Sequence, residues 1–206
     1  MRGNSSQFSK LASTLLSNPD SSPIPLEALA SAGAVSRREE RPMPVQRLKE
    51  FLDKNGIQYM LISHSRAYTA AAIGAITHIS GKVIAKTVMV KLDGKLAMVV
   101  VPGSRHVNLS AFKTTLGVNS ALLVTEPEFA EVFPDCEVGA MPPFGVLYGL
   151  TVYVDETLTQ DEEIAFNAGS HRELMRMRYK DFERLENPTV INVVKKTTAE
   201  LERMAG

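Results

Sequence analysis

Cysteine is almost missing from this 206-residue chain. Cys136 is the only one, so no intrachain disulfide can form and no thiolate-rich zinc site can assemble, a usage that suits a reducing cytoplasm. Tryptophan is absent, and no apolar run approaches the roughly 18 residues a membrane-spanning helix needs. Excess charge is lacking as well: 23 Lys+Arg stand against 23 Asp+Glu, which excludes holding a long duplex through many phosphate contacts. Any nucleic acid must be gripped locally. HExxH, G-x-S-x-G and P-loop patterns are missing, and His64, His78, His106 and His171 are scattered, so neither a metal centre nor a serine triad is expected. Cys136 sits between Asp135 and Glu137, which would raise its pKa and argue against a thiolate nucleophile.

What is present divides the chain in two. Residues 1–42 are rich in Ser and Pro, carry one aromatic residue and end in Arg37-Arg38-Glu39-Glu40-Arg41, which predicts a disordered N-terminal tail. Its acidic residues argue against an organelle transit peptide. Residues 43–206 have the length and apolar content of a single domain.

Within that domain, Val45, Leu48, Phe51 and Leu52 recur at helical spacing before Gly56, predicting a helix over 44–55. Ile57–Ile62 reads as a strand, and Thr69 as the N-cap of a helix that ends before Gly81. Val83–Leu92 and Leu96–Val101 flank Asp93-Gly94, a pair suited to a type I′ turn, so the two runs form a hairpin. A two-residue loop makes partner numbers sum to 187 and sets Lys86 opposite Val101. Leu109, Phe112 and Leu116 form a helical stripe closed by Gly117. Ala121–Val124 reads as a buried strand, and Thr125-Glu126-Pro127-Glu128 as a capping box. Strands are expected at 151–154, 163–167, 175–179 and 190–194, with a short helix near 180–186.

Three constellations carry possible chemistry. Lys86 shares its strand face with Ile84, Val88, Val90 and Leu92, and an ammonium among aliphatic side chains needs an anion or carbonyls to receive it. The alternative is a sheet-edge lysine that reaches to water. Gly139-Ala140-Met141-Pro142-Pro143-Phe144-Gly145 is a rigid loop whose glycines allow close backbone approach to a ligand, or else a tight structural turn. Asn167-Ala168-Gly169-Ser170 ends a strand with a glycine and a hydroxyl, equally readable as a simple bend.

In order, Thr69, Ala85-Lys86-Thr87, Val101-Pro102-Gly103, Gly139 with Pro143-Phe144-Gly145, and Phe166-Asn167-Ala168-Gly169-Ser170 resemble the YbaK/EbsC family, aminoacyl-tRNA deacylases related to the editing insertion of prolyl-tRNA synthetases. The likeness covers about residues 43–195. It implies an α/β domain with a mixed, twisted, partly barrel-like sheet flanked by helices, and hydrolysis, without metal or cofactor, of the ester of a mischarged tRNA. The lysine matching Lys86 would engage the terminal nucleotide, and the loop matching Gly139–Gly145 would hold the aminoacyl carbonyl through backbone amides. Thr69, Thr87, Pro102, Gly103, Met141, Pro143, Phe144, Asn167, Gly169 and Ser170 would shape the substrate cleft. Met89, Val88, Met141 and Phe144 are expected to line the amino-acid pocket, for a small apolar or hydroxylated side chain. Many relatives have Ser-Pro-Phe-Gly at 142–145 and an acidic residue where Ser104-Arg105 stand here.

The physics fits that division of labour: a lysine supplies a point charge to phosphate or ribose oxygens, fixed amides stabilise charge on the ester oxygen, and an activated ester needs positioning more than a triad. The expected partners are the misacylated acceptor end of a tRNA and an aminoacyl-tRNA synthetase, in the cytoplasm and away from membranes. Two other readings stay open: a non-catalytic binding module of the same fold, and a Schiff-base enzyme using Lys86.

Overall fold

The computed structural model describes residues 44–194. The expected tail at 1–42 lies outside them, as do the last residues of the expected domain.

Helix α1 (Pro44–Lys54) forms because Leu48 and Leu52 fall on one face, and both are fully buried. It stops at Gly56, whose φ of +67° turns the chain into β1 (Tyr59–Ser63). Helix α2 (Ala70–Thr77) begins at Thr69, whose Oγ1 accepts the Ala72 N–H at 3.1 Å. It ends on His78 at φ +58°.

The hairpin β2 (Ala85–Leu92) and β3 (Lys95–Pro102) pairs in the expected register, with Lys86 opposite Val101 and with Asp93 and Gly94 at φ +44° and +83°. Helix α3 (Leu109–Leu116) is capped by Asn108 and closed by Gly117. Strand β4 (Ala121–Leu123) leads to the one-turn helix α4 (Glu126–Phe129), where Glu128 accepts both the Thr125 amide and its hydroxyl. Then follow β5 (Thr151–Asp155), β6 (Glu163–Asn167), β7 (Glu173–Arg178), α5 (Tyr179–Glu186) and β8 (Thr189–Ile191).

The strands divide into two sheets. One is antiparallel, in the order β1-β7-β6; the other is mixed, in the order β4-β2-β3-β5-β8, with β5 parallel to both β3 and β8. A single parallel bridge, Ile84 to Ala165, links them, backed by the Ala165 N–H on Val83 O at 3.0 Å. This corrects the expectation of one partly closed sheet. Among the described residues the pairing between β2 and β6 is confined to that bridge, and β4 takes the same edge of β2 further along, at Val90–Leu92, so the sheets stay open.

The main core lies between the sheets, with Met98, Val100, Val152 and Val154 from one and Ile164, Phe166, Met175 and Met177 from the other. Leu48 and Leu52 of α1, Phe182 of α5 and Phe144 complete it. A second cluster packs Phe112 of α3 on Val90, Val99 and Val101, the opposite face of the hairpin. Each such side chain contributes ~1.5–3 kcal/mol by leaving water. Two further expectations are corrected. Strand β4 is an exposed edge strand, with Leu122 and Leu123 each 58% exposed, since no layer of the described residues covers it. The last strand ends at Ile191, and Val194 keeps only a bridge to Val107.

Candidate active site

Lys86 is the second residue of β2, half-buried, and its Nζ lies 3.4 Å from Gly103 O. Burial lowers its pKa from the usual lysine value. Among the described residues no carboxylate pairs with the ammonium; its hydrogen-bond contact is a backbone carbonyl at the end of the hairpin, and the side chain is only half withdrawn from water. Gly103 is required there: a Cβ would fall 2.3 Å from Ala70 Cβ and 3.1 Å from Ile84 O. The first residue of α2 thus rests on the turn that receives Lys86.

The segment before α2 carries the site onward. The Ala67 N–H donates to His171 O at 3.0 Å, and the exposed Tyr68 ring lies on the buried His171 ring at 4.6 Å between centroids. Arg66 pairs with Glu137 at 2.9 Å. Glu137 accepts the His171 N–H at 2.7 Å and donates its own N–H to Gly169 O at 2.8 Å. The Gly169 N–H donates to Ala140 O at 2.9 Å. Residues 137–140 and 169–171 are therefore one hydrogen-bonded unit, joined through 66–70 to Gly103 and Lys86. Within it the His171 amide, helped by Arg66, the His171 ring and Arg172, holds the Glu137 carboxyl below the usual range.

Gly139 and Gly145 have different surroundings. Gly139, at φ +84°, faces solvent, and a Cβ on it would lie 3.6 Å from the His171 ring. Its N–H points at the Met141 thioether at 3.2 Å, a weak acceptor that a carbonyl oxygen would outcompete. Residues 140–145 are buried, and Gly145 is packed so tightly that a Cβ would clash with Leu150 O at 2.4 Å and Val152 Cγ2 at 2.5 Å. Pro143 is buried within this stretch, and Pro102 at the end of β3.

The remaining expected residues take their positions from the strands and turn that carry them. Asn167 ends β6 and Thr87 lies on the main-core face of β2; Asn167 Oδ1 and Thr87 Oγ1 are buried with no hydrogen-bond partner among the described residues. Ser170 Oγ donates to Glu173 in a local turn at 3.1 Å. The expected amino-acid pocket is corrected at Val88, which packs with the Phe112 cluster, whereas Met89, Met141 and Phe144 lie in the main core. Cys136 has its pKa raised mainly by burial, with Asp135 adding to it; Glu137 instead turns toward His171. Tyr68, Glu137 and His171 escaped the sequence reading, although His171 directly follows the Asn-Ala-Gly-Ser stretch that was singled out. Two clefts of about 320 and 310 Å³ flank the Glu163–Arg176 pair and include none of the expected site residues.

Comparison with known proteins defines the class. The model of the aminoacyl-tRNA editing domain matches residues 64–185, more than half of the chain, so the chain belongs to that family. It is 26% identical over 152 residues to the multifunctional Ser/Thr-tRNA deacylase ProXp-y of Escherichia coli K12, covering 71% of this chain and 90% of the relative. A stretch of 86 residues is 29% identical to the proline–tRNA ligase of Bacillus mycoides, covering 42% of this chain and 15% of that enzyme. A solved structure described as a candidate trans-editing enzyme for prolyl-tRNA synthetase superposes with a TM-score of 0.66 at 20% identity, over 74% of this chain and 98% of that one, a likeness of fold. Among the described residues no helix is long and apolar enough to cross a membrane.

Proposed function

We propose that this chain is an aminoacyl-tRNA deacylase acting in trans, in the cytoplasm, on tRNA carrying the wrong amino acid. Family membership supports the activity, and the likeness to a Ser/Thr-tRNA deacylase supports a small hydroxylated amino acid as the group removed. A synthetase is the partner from which such a tRNA would be received.

The observation that carries the reading is the path from Lys86 through Gly103, Ala70 and Tyr68 to His171 and Gly139. Lys86 offers its charge to a phosphate or ribose oxygen of the terminal nucleotide, exchanging Gly103 O for a better acceptor. The Gly139 amide leaves the Met141 sulfur for the ester carbonyl, where it opposes the charge that develops as water adds. The carbonyl carbon gains the water oxygen, the bond to the ribose oxygen breaks, and that oxygen takes up a proton. The terminal ribose hydroxyl can orient the water, so no side-chain base is required.

The test is release of labelled amino acid from a panel of correctly and incorrectly charged tRNAs. Release from one mischarged species above the rate without protein is expected. Survival of every ester while tRNA binds would replace this reading with a binding module.

A further inference from the structure

Glu186 ends α5, a helix with exposed Glu183 and Arg184 beside it, yet its own carboxyl is mostly buried. Oε2 accepts the Val146 N–H at 3.2 Å, and Oε1 lies 3.2 Å from the place a Cβ on Gly145 would occupy. One turn earlier, Phe182 packs edge-on against Phe144 at 5.5 Å. From the other side, Arg47 of α1 donates to Leu147 O. The short turn Gly145–Leu147 that ends the glycine loop is therefore gripped at its amide by α5 and at its carbonyl by α1.

A carboxylate withdrawn from water is costly, and burial pushes Glu186 up to about 7 against the opposing pull of the Val146 amide. The charged groups on the surrounding elements do not relieve that cost. Arg47 is committed to Leu147 O and to the Tyr148 ring, 5.2 Å away, and Arg184 lies 3.6 Å from Asp181. Glu183 adds like charge on the same helix, and β5 brings the aliphatic Val152 to Gly145. An apolar side chain would pack here at less cost. What Glu186 adds is an acceptor for one amide, at the end of the loop whose other end carries Gly139.

We propose that Glu186 is a positioning residue for deacylation, its carboxylate fixing the Val146 amide and through it the conformation of the loop from Gly139 to Gly145. This rests on the role given to that loop above. As the carboxyl ionises, its bond to the amide becomes charge-assisted and the loop tightens.

The full-length chain carrying Glu186→Leu or Glu186→Gln separates the possibilities. Glutamine keeps an acceptor for Val146; leucine does not. Amide hydrogen exchange, corrected for the intrinsic rate, should rise about tenfold or more at residues 139–147 in the leucine variant, with the β2–β3 hairpin unchanged. The glutamine variant should stay within about threefold of wild type and lose the gain in protection that wild type shows as pH rises through 7. For turnover of the ester identified above, leucine should lower kcat about tenfold, roughly the worth of one hydrogen bond to a charged group, with KM nearly constant and glutamine restoring most of the rate. Unchanged exchange at 139–147 in the leucine variant, or a glutamine variant as impaired as leucine, would overturn the proposal. If wild type cleaves no ester, the deacylase reading fails, and the exchange measurements still decide whether Glu186 holds the loop.

Discussion

The Tyr68 ring lies 4.6 Å from that of His171, inclined by 54°, with Tyr68 exposed and His171 buried. That contact joins the two halves of the site, because Tyr68 precedes the cap of α2 and His171 closes on the glycine loop. His171 Nε2 donates to Val138 O at 2.8 Å, and Nδ1 is buried without a partner among the described residues. His171→Ala would strip Val138 O of its donor and Tyr68 of its support. A loss of ~1–3 kcal/mol is expected in chemical denaturation, with faster amide exchange at 137–139. Exchange at 137–139 identical to wild type would show that the ring does not hold this loop.

Gly103→Ala should be among the most damaging single-methyl changes. The added carbon would meet Ala70 Cβ at 2.3 Å and Ile84 O at 3.1 Å, and neither can yield without moving α2 or the β2 backbone. A cost of ~1–3 kcal/mol is expected, together with displaced Lys86 and Tyr68. Thermal unfolding reads the first and ester cleavage by the folded fraction the second.

Thr69 supports the site through its cap. Thr69→Ala removes the acceptor for the Ala72 N–H and should cost ~0.5–2 kcal/mol, whereas Thr69→Ser should recover both stability and activity. If serine restored stability but not cleavage, the threonine methyl would have to contact the substrate.

Glu137 gives a pH-dependent prediction. Its carboxyl is held below the ordinary carboxylate value, first by the His171 amide, so the folded state releases this proton more readily than the unfolded chain. Its contribution is complete above the unfolded pKa and disappears as pH falls through the folded one. Glu137→Gln should therefore flatten part of the acid limb of the stability curve while changing little below it. The Arg66 pair is exposed, so high salt should alter this only slightly.

Legibility in the sequence followed the range of the interactions. The hairpin register, the Thr69 cap and the Gly117 stop were readable because each is decided within a few residues. The division into two sheets was not, since it hangs on one bridge between Ile84 and Ala165. The apolar run at 121–124 read as buried because a four-residue run does not reveal whether anything covers it. Of the candidate site, Lys86 and the glycine stretches were visible as departures from pattern: a charge among aliphatics, and glycines flanking two prolines or closing a strand. His171 was hidden because it stood as one of four scattered histidines, with nothing in the local pattern to tie it to Tyr68 or Glu137. Glu186 looked like any acidic residue on an amphipathic helix, because its burial comes from Gly145 and Val146, some forty residues away.

The measurement that tests the central claim most directly is single-turnover cleavage of the preferred mischarged tRNA by wild type and by Lys86→Ala, with stability checked in parallel. Removing a half-buried ammonium should not unfold the protein. The expected loss is roughly 10- to 100-fold in the cleavage rate, the ~1.5–3 kcal/mol of a hydrogen bond to a charged group, with Lys86→Arg intermediate because the fork does not fit a site shaped for a point charge. A Lys86→Ala variant that folds and cleaves at the wild-type rate would contradict the assignment of Lys86 as the anchor of the substrate end.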